Sequence, residues 1–186
     1  GKDSVIILHL IAHIVEETPN VDMSSLKTAY FRIENSFTEV DAFTASLVDK
    51  YKVHPVTIDT GNIQTGLQKL MSQQTVKAFI LGSRSSDPHC EKLTFFTKAD
   101  PSWGDFMRVN PVLKWSYSDV WAFIKSEKLP YCKLYDQGYT SIGSKVDTIP
   151  NPKLLNTDGS YSPAYMLEQG YLERQGRNAN KDKDKH

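Results

Sequence analysis

Three short stretches carry side chains suited to phosphate chemistry. Gly1-Lys2-Asp3-Ser4 opens the chain, Arg84 and Asp87 stand in a long insertion behind an apolar run, and Arg174 and Arg177 fall three apart near the end. Phosphoryl oxygens are held by backbone amides, by lysine, and above all by the planar arginine fork, which grips two oxygens at once. At a helix N-terminus the free amides and the positive end of the dipole add to that hold. From the residues alone each stretch has a plainer reading too. Asp3 and Ser4 are ordinary helix caps, Arg84 with Asp87 makes a surface ion pair, and the two late arginines make a basic end of chain.

The insertion runs from Gly82 to Pro111, GSRSSDPHCEKLTFFTKADPSWGDFMRVNP. Connections of that length in a compact domain are functional or disordered. Its Asp100, Trp103, Asp105, Phe106 and Arg108 give it something to bury and something to bind, which is the wrong composition for disorder. It reads as one wall of a ligand site. His9 and His13, four apart, have metal-ligand spacing, but two histidines supply too few ligands for a dedicated zinc site and read as ordinary helix residues.

The elements that must position these residues alternate. The spacing of Val5, Leu8, Ile11, Ala12 and Val15 predicts a helix over 4–17, so residues 1–4 sit at its N-terminus. TAYFRI (28–33) reads as a strand, and Phe37 to Tyr51 as an amphipathic helix. Val53 to Asp59 reads as a strand leaving through a turn at Thr60-Gly61, followed by a helix from Ile63 to Met71. KAFIL (77–81) reads as a short buried strand, and 115–125 as a helix capped by Ser116 or Ser118. The sequence from 129 to 152 has no helical period and reads as packed irregular structure, 161–170 as a short helix, and 178–186 as a solvated tail. Strand alternating with helix predicts an α/β layer structure with a mostly parallel sheet and helices on both faces. Ligands of such sheets bind beyond the carboxyl ends of the strands. The entry to the first helix and the loops after TAYFRI and KAFIL all fall there.

At 186 residues the chain fits one domain, and its 22 basic and 22 acidic residues balance, so no global basic field points to nucleic acid. The two cysteines, Cys90 and Cys132, are isolated, which excludes a disulfide framework and any CxxC motif. No apolar run approaches the length of a membrane span. A reducing, cytoplasmic setting is the expectation, with a mitochondrial form left open.

Taken together, GKDS, the GSRSSDP and DPSWGDFMR segments of the insertion, and LERQGR (172–177) resemble the eukaryotic FAD synthetases (FMN adenylyltransferases), flavin-specific relatives of the PAPS reductases. The likeness runs through 1–177. It implies a single PAPS-reductase-like domain with an irregular C-terminal flavin-binding extension, and a pyrophosphate loop whose first half, with its preceding strand, would lie upstream of Gly1. It implies transfer of the adenylyl group of ATP to FMN, giving FAD and pyrophosphate with Mg2+, and flavoprotein apoenzymes as recipients of the FAD. The state expected is a monomer or weak oligomer.

The resemblance gives Lys2, Asp3, Asp87, Arg174 and Arg177 the catalytic roles, Asp3 also a magnesium through water. It gives Gly1, Ser4, Gly82 and Arg84 to ATP, and Phe31 and Ile33 to adenine through their backbone. Asp100, Trp103, Asp105, Phe106 and Arg108 match a flavin motif of the form DxxWPDFxR, with Gly104 here in place of proline, which would leave the loop freer. Two other readings stand beside this one. A sulfonucleotide reductase would need a reactive cysteine or a cysteine-bound cluster, and a flavin- or nucleotide-binding module would need no turnover.

Overall fold

The computed structural model describes residues 1–59, 63–73 and 75–177. The turn expected at Thr60-Gly61 and the tail at 178–186 lie outside the described residues. Helix α1 spans Lys2–Glu17 with Gly1 as its N-cap. Strand β1 (Ala29–Arg32), helix α2 (Thr38–Tyr51), strand β2 (Val56–Asp59) and helix α3 (Ile63–Gln73) follow as the alternation predicts. Then come three short strands, β3 (Ala78–Ile80), β4 (Phe96–Lys98) and β5 (Met107–Val109), and helix α4 (Tyr117–Ser126).

β1 and β2 pair in parallel, Ala29 opposite Val56 and Arg32 opposite Asp59. The second sheet has the order β3-β5-β4, with β5 parallel to β3 and antiparallel to β4. The insertion after KAFIL is therefore not one loop. Phe96–Lys98 and Met107–Val109 return to the sheet, three residues each, too short to show an alternation in sequence. KAFIL itself is not buried on both sides, since Ile80 remains 46% exposed while Phe79 turns inward. An all-apolar run of this length fits a half-covered strand as well as a buried one.

The main core lies between α1, α4 and the irregular C-terminal third. Val5, Ile6 and Ile7 of α1 meet Val112, Val120, Trp121 and Ile124, with Leu134, Tyr135, Leu154 and Ala164 closing the other side. Ile6 and Ile7 lie off the single stripe expected, because the first turns of α1 are enclosed from more than one direction. Trp121 meets Tyr131, Tyr135 and Tyr165 edge to face, at 5.4, 5.3 and 5.9 Å between ring centroids. Helix α4 begins at a capping box. Ser116 Oγ accepts the Asp119 N–H at 3.1 Å, and the Asp119 carboxylate accepts the Ser116 N–H at 2.8 Å. The helix expected over 161–170 shrinks to a 3-10 turn, Ala164–Met166, directly behind Pro163.

Candidate active site

Residues from the three polar stretches meet where α1 begins. Gly82, just past β3, lies against the first turn of α1: a Cβ there would fall 3.0 Å from Asp3 Cβ and 3.3 Å from Ser4 N. A side chain there would push the first turn of α1 away by a few tenths of an ångström, which favours a glycine at this point. Two residues on, Arg84 Nε lies 2.9 Å from Asp3 Oδ1, and Asp87 Oδ2 accepts the Arg84 backbone N–H at 2.8 Å. The late turn joins from the far end of the chain. Glu173 takes Arg84 NH2 on Oε2 at 2.5 Å and Lys2 Nζ on Oε1, and Arg174 NH1 stands 3.7 Å from Asp87 Oδ1.

This is an alternating cluster of cations and carboxylates with a buried centre. Lys2 and Arg84 are 2% and 1% exposed, whereas the Arg174 side chain is 44% exposed. The expectation that Lys2 and Arg84 offer their charges to a phosphate meets a different arrangement. Both point at protein carboxylates and are closed to solvent. Burial works against the charge on Lys2, yet Asp3, Tyr135 and Glu173 outweigh it and hold the ammonium above the ordinary lysine range. Arg84 behaves likewise, burial opposed by Asp3, Glu173 and Asp87.

The sign of the Lys2 shift makes a prediction. A folded pKa above the unfolded value gives stability that is complete below the unfolded pKa, about 10.4, and is lost as pH rises toward the folded one. Melting temperature should therefore fall as pH is raised past about 10.4, and the fall should be shallower in Lys2→Met than in the unaltered protein.

Asp3 Oδ1 and Arg84 Nε, though 2.9 Å apart, are not aligned as a hydrogen bond, so each is ion-paired with its directional capacity unused. The other Asp3 oxygen faces Lys2 Nζ at 3.4 Å. A carboxylate facing two cations is a poor direct ligand for magnesium, and among the described residues no three His, Cys, Asp or Glu side chains group to hold a metal. His9 packs edge-on to Tyr51 and Phe123, and exposed His13 pairs with Glu17.

The two late arginines part company. Arg177 packs its guanidinium over Gly143, where a Cβ would lie 2.3 Å from NH2, and approaches Asp147 at 3.7 Å. Burial, with Arg174 nearby, holds its pKa below the usual arginine range against the pull of Asp147. The turn that carries both is fixed from beneath. Asn151, fully buried, donates to Leu172 O and to Thr140 Oγ1 at 2.9 Å, and Thr140 donates to Glu173 O at 2.6 Å. Gly176 lies against Ile149 O, where a Cβ would fall at 2.2 Å.

The aromatic segment divides. Arg108 reaches back to the loop after β3, its NH2 3.5 Å from Ser83 Oγ, with a buried Nε that makes no hydrogen bond. Phe106, expected at the flavin, is 6% exposed and packs edge-on to Phe79 at 4.9 Å. Asp100 caps its own turn, accepting from Ser102 N at 2.9 Å and Ser102 Oγ at 2.6 Å. Trp103 is 38% exposed, and Asp105 pairs at the surface with Lys98 at 3.2 Å. Gly104 takes φ +118 against Met71, a backbone angle proline cannot adopt. Phe31 packs against the Phe106 cluster, and Ile33 lies just past the end of β1.

Glu173, Asn151 and Thr140 were not singled out by spacing or type. No local signal marks them, because their contacts are to residues distant in sequence.

The model of the phosphoadenosine phosphosulfate reductase domain matches residues 62–150. A probable FAD synthase of Schizosaccharomyces pombe is 36% identical over 182 residues, spanning 96% of this chain and 69% of that protein. The chain belongs to the FAD synthase family. A probable FAD synthase of Caenorhabditis elegans is 33% identical over 183 residues, and there the chain spans 35% of the relative's length. A crystal structure of Candida glabrata FMN adenylyltransferase in complex with FAD and inorganic pyrophosphate superposes with a TM-score of 0.86 at 24% identity, covering 95% of this chain and 78% of that one. With the domain match, this structural likeness gives the PAPS-reductase-like fold that the resemblance implies, an α/β arrangement of the kind the strand-helix alternation predicts. Among the described residues no helix is long and apolar enough to cross a membrane.

Proposed function

We propose that this chain transfers the adenylyl group of ATP to FMN, releasing pyrophosphate. The observation that carries the reading is the meeting of the α1 N-terminus, the loop after β3 and the 173–177 turn in one ion-paired cluster, in a chain of the FAD synthase family. A phosphate oxygen of FMN attacks the α-phosphorus of ATP, a new P–O bond forms, and the bond to the β-phosphate oxygen breaks with its electrons leaving on pyrophosphate. That chemistry asks for in-line positioning and for positive charge along the phosphates rather than for a nucleophilic side chain.

In this reading the groups at the open side of the cluster touch phosphate: the backbone of Gly1, Asp3 and Ser4, Arg174, and the exposed part of Arg177 on the same turn, while the Lys2 amide is taken up by the Tyr135 hydroxyl. Asp3 and Asp87 orient the arginines, while Lys2 and Arg84 act from beneath by fixing those carboxylates. Gly82 lets the two loops close on each other. Phe31 and Ile33 offer backbone groups to adenine. Arg108 takes the FMN phosphate or a flavin carbonyl, and Trp103, with Asp100 and Asp105 on its turn, offers a planar face to the ring. Magnesium enters as the ion the nucleotide carries on its phosphates. The FAD formed is of use to flavoprotein apoenzymes.

Sulfonucleotide reduction finds less support. Cys90 and Cys132 are both buried, so neither thiol stands open to a substrate, and burial pushes the Cys132 thiol up. Calorimetry tests the flavin side of the proposal. The intact protein should bind both ATP and FMN, and Arg108→Ala should weaken FMN binding at least 10-fold more than ATP binding, on the scale of a charge-assisted hydrogen bond pair. Equal loss for both ligands removes the flavin role of Arg108, and an unaltered protein that binds neither removes the proposal.

A further inference from the structure

Glu173, like Asp3, lies against two buried cations, and it hydrogen-bonds each of them. Lys2 comes from the start of α1 and Arg84 from the loop after β3, and each directs its charge to a different oxygen of the same side chain. The main chain of the turn is held as tightly: Thr140 donates to Glu173 O and Asn151 to Leu172 O. A buried carboxylate with two cationic partners has little freedom to rotate, because turning it away takes a hydrogen bond from a buried cation at each oxygen. The next residue is Arg174, whose guanidinium stands beside Asp87 at the open side of the cluster. We infer that Glu173 is a positioning residue of the phosphate site, the bridge through which the N-terminus of α1 and the loop after β3 set where Arg174 and Arg177 stand. The inference rests on the adenylyl-transfer reading, in which those arginines face the pyrophosphate portion of ATP.

A positioning role and a mere counter-charge predict opposite signs for anion binding. Removing a negative charge beside an anion site, with nothing else moved, strengthens binding of an anion. Removing the anchor of the arginine turn weakens it. The test is calorimetric titration of inorganic pyrophosphate into the intact protein, into Glu173→Gln and into Glu173→Asp, with folding checked by circular dichroism. Glu173→Gln should bind pyrophosphate at least 10-fold more weakly. Glu173→Asp keeps the charge but is one methylene too short to bridge both cations, and should fall between the two. Affinity in folded Glu173→Gln that equals or exceeds that of the unaltered protein overturns the inference. Where the Gln variant does not fold, the Asp variant decides: at least threefold weaker binding supports the role, and unaltered affinity overturns it. FAD formation by the unaltered protein, measured in parallel, judges the adenylyl-transfer reading separately from the part played by Glu173.

Discussion

Arg84→Met is expected to be the most destabilising single change in the cluster, lowering unfolding stability by about 3–5 kcal/mol at neutral pH. The methionine fills much of the same volume, so the loss is electrostatic. Asp3, Asp87 and Glu173 would be left with Lys2 as their buried cation, and crowded carboxylates without a counter-ion are costly to keep ionised. For a chain of this size the loss corresponds to a fall in melting temperature of roughly 10 °C. Thermal and denaturant melts at neutral pH check the loss. A deficit below about 1 kcal/mol at pH 7, the range of an exposed pair, would show that the cluster is less enclosed than described.

Arg174→Ala should do the reverse, sparing the fold and removing activity. Its side chain is largely in solvent and its pairing with Asp87 is long, at 3.7 Å, so the stability lost should stay within about 1 kcal/mol. As a charge aimed at the phosphates during transfer it should be worth about 100- to 1,000-fold in kcat, the usual effect of deleting one donor that faces developing charge. Arg177→Ala makes an instructive companion. That guanidinium covers Gly143 and pairs with Asp147, so its removal should cost stability as well as turnover. Steady-state FAD formation beside thermal melts separates the two arginines. An Arg174→Ala variant with kcat within threefold of the unaltered protein would take that residue out of the mechanism.

The helices were legible in the sequence because their signals are local. The apolar spacing of α1 and α2 and the serine cap of α4, at Ser116 or Ser118, need no knowledge of distant residues. β1 and β2 stood out for the same reason, as β-rich runs between polar turns. β4 and β5 did not, since three-residue strands inside a segment rich in Gly, Pro and Asp carry no period, and it is pairing, of β5 with β3 and of β4 with β5, that makes them strands. The three site segments could be named from their residue types, but not their division of labour. Which cation is buried depends on contacts between residues 2, 84 and 173, and only the folded chain shows that Lys2 and Arg84 face inward while Arg174 faces out. Phe106 shows the same limit. Its neighbour Arg108 turns toward Ser83, whereas Phe106 itself turns to Phe79, a difference of side-chain direction that the motif does not encode.

The measurement that bears most directly on the account is the fate of ATP labelled at its α-phosphorus when the intact protein is given FMN and magnesium. The label should pass into FAD, with one pyrophosphate released for each FAD formed, and Arg174→Ala should slow both to the same degree. Label that remains in ATP, or that appears in AMP or ADP with no FAD made, would contradict it.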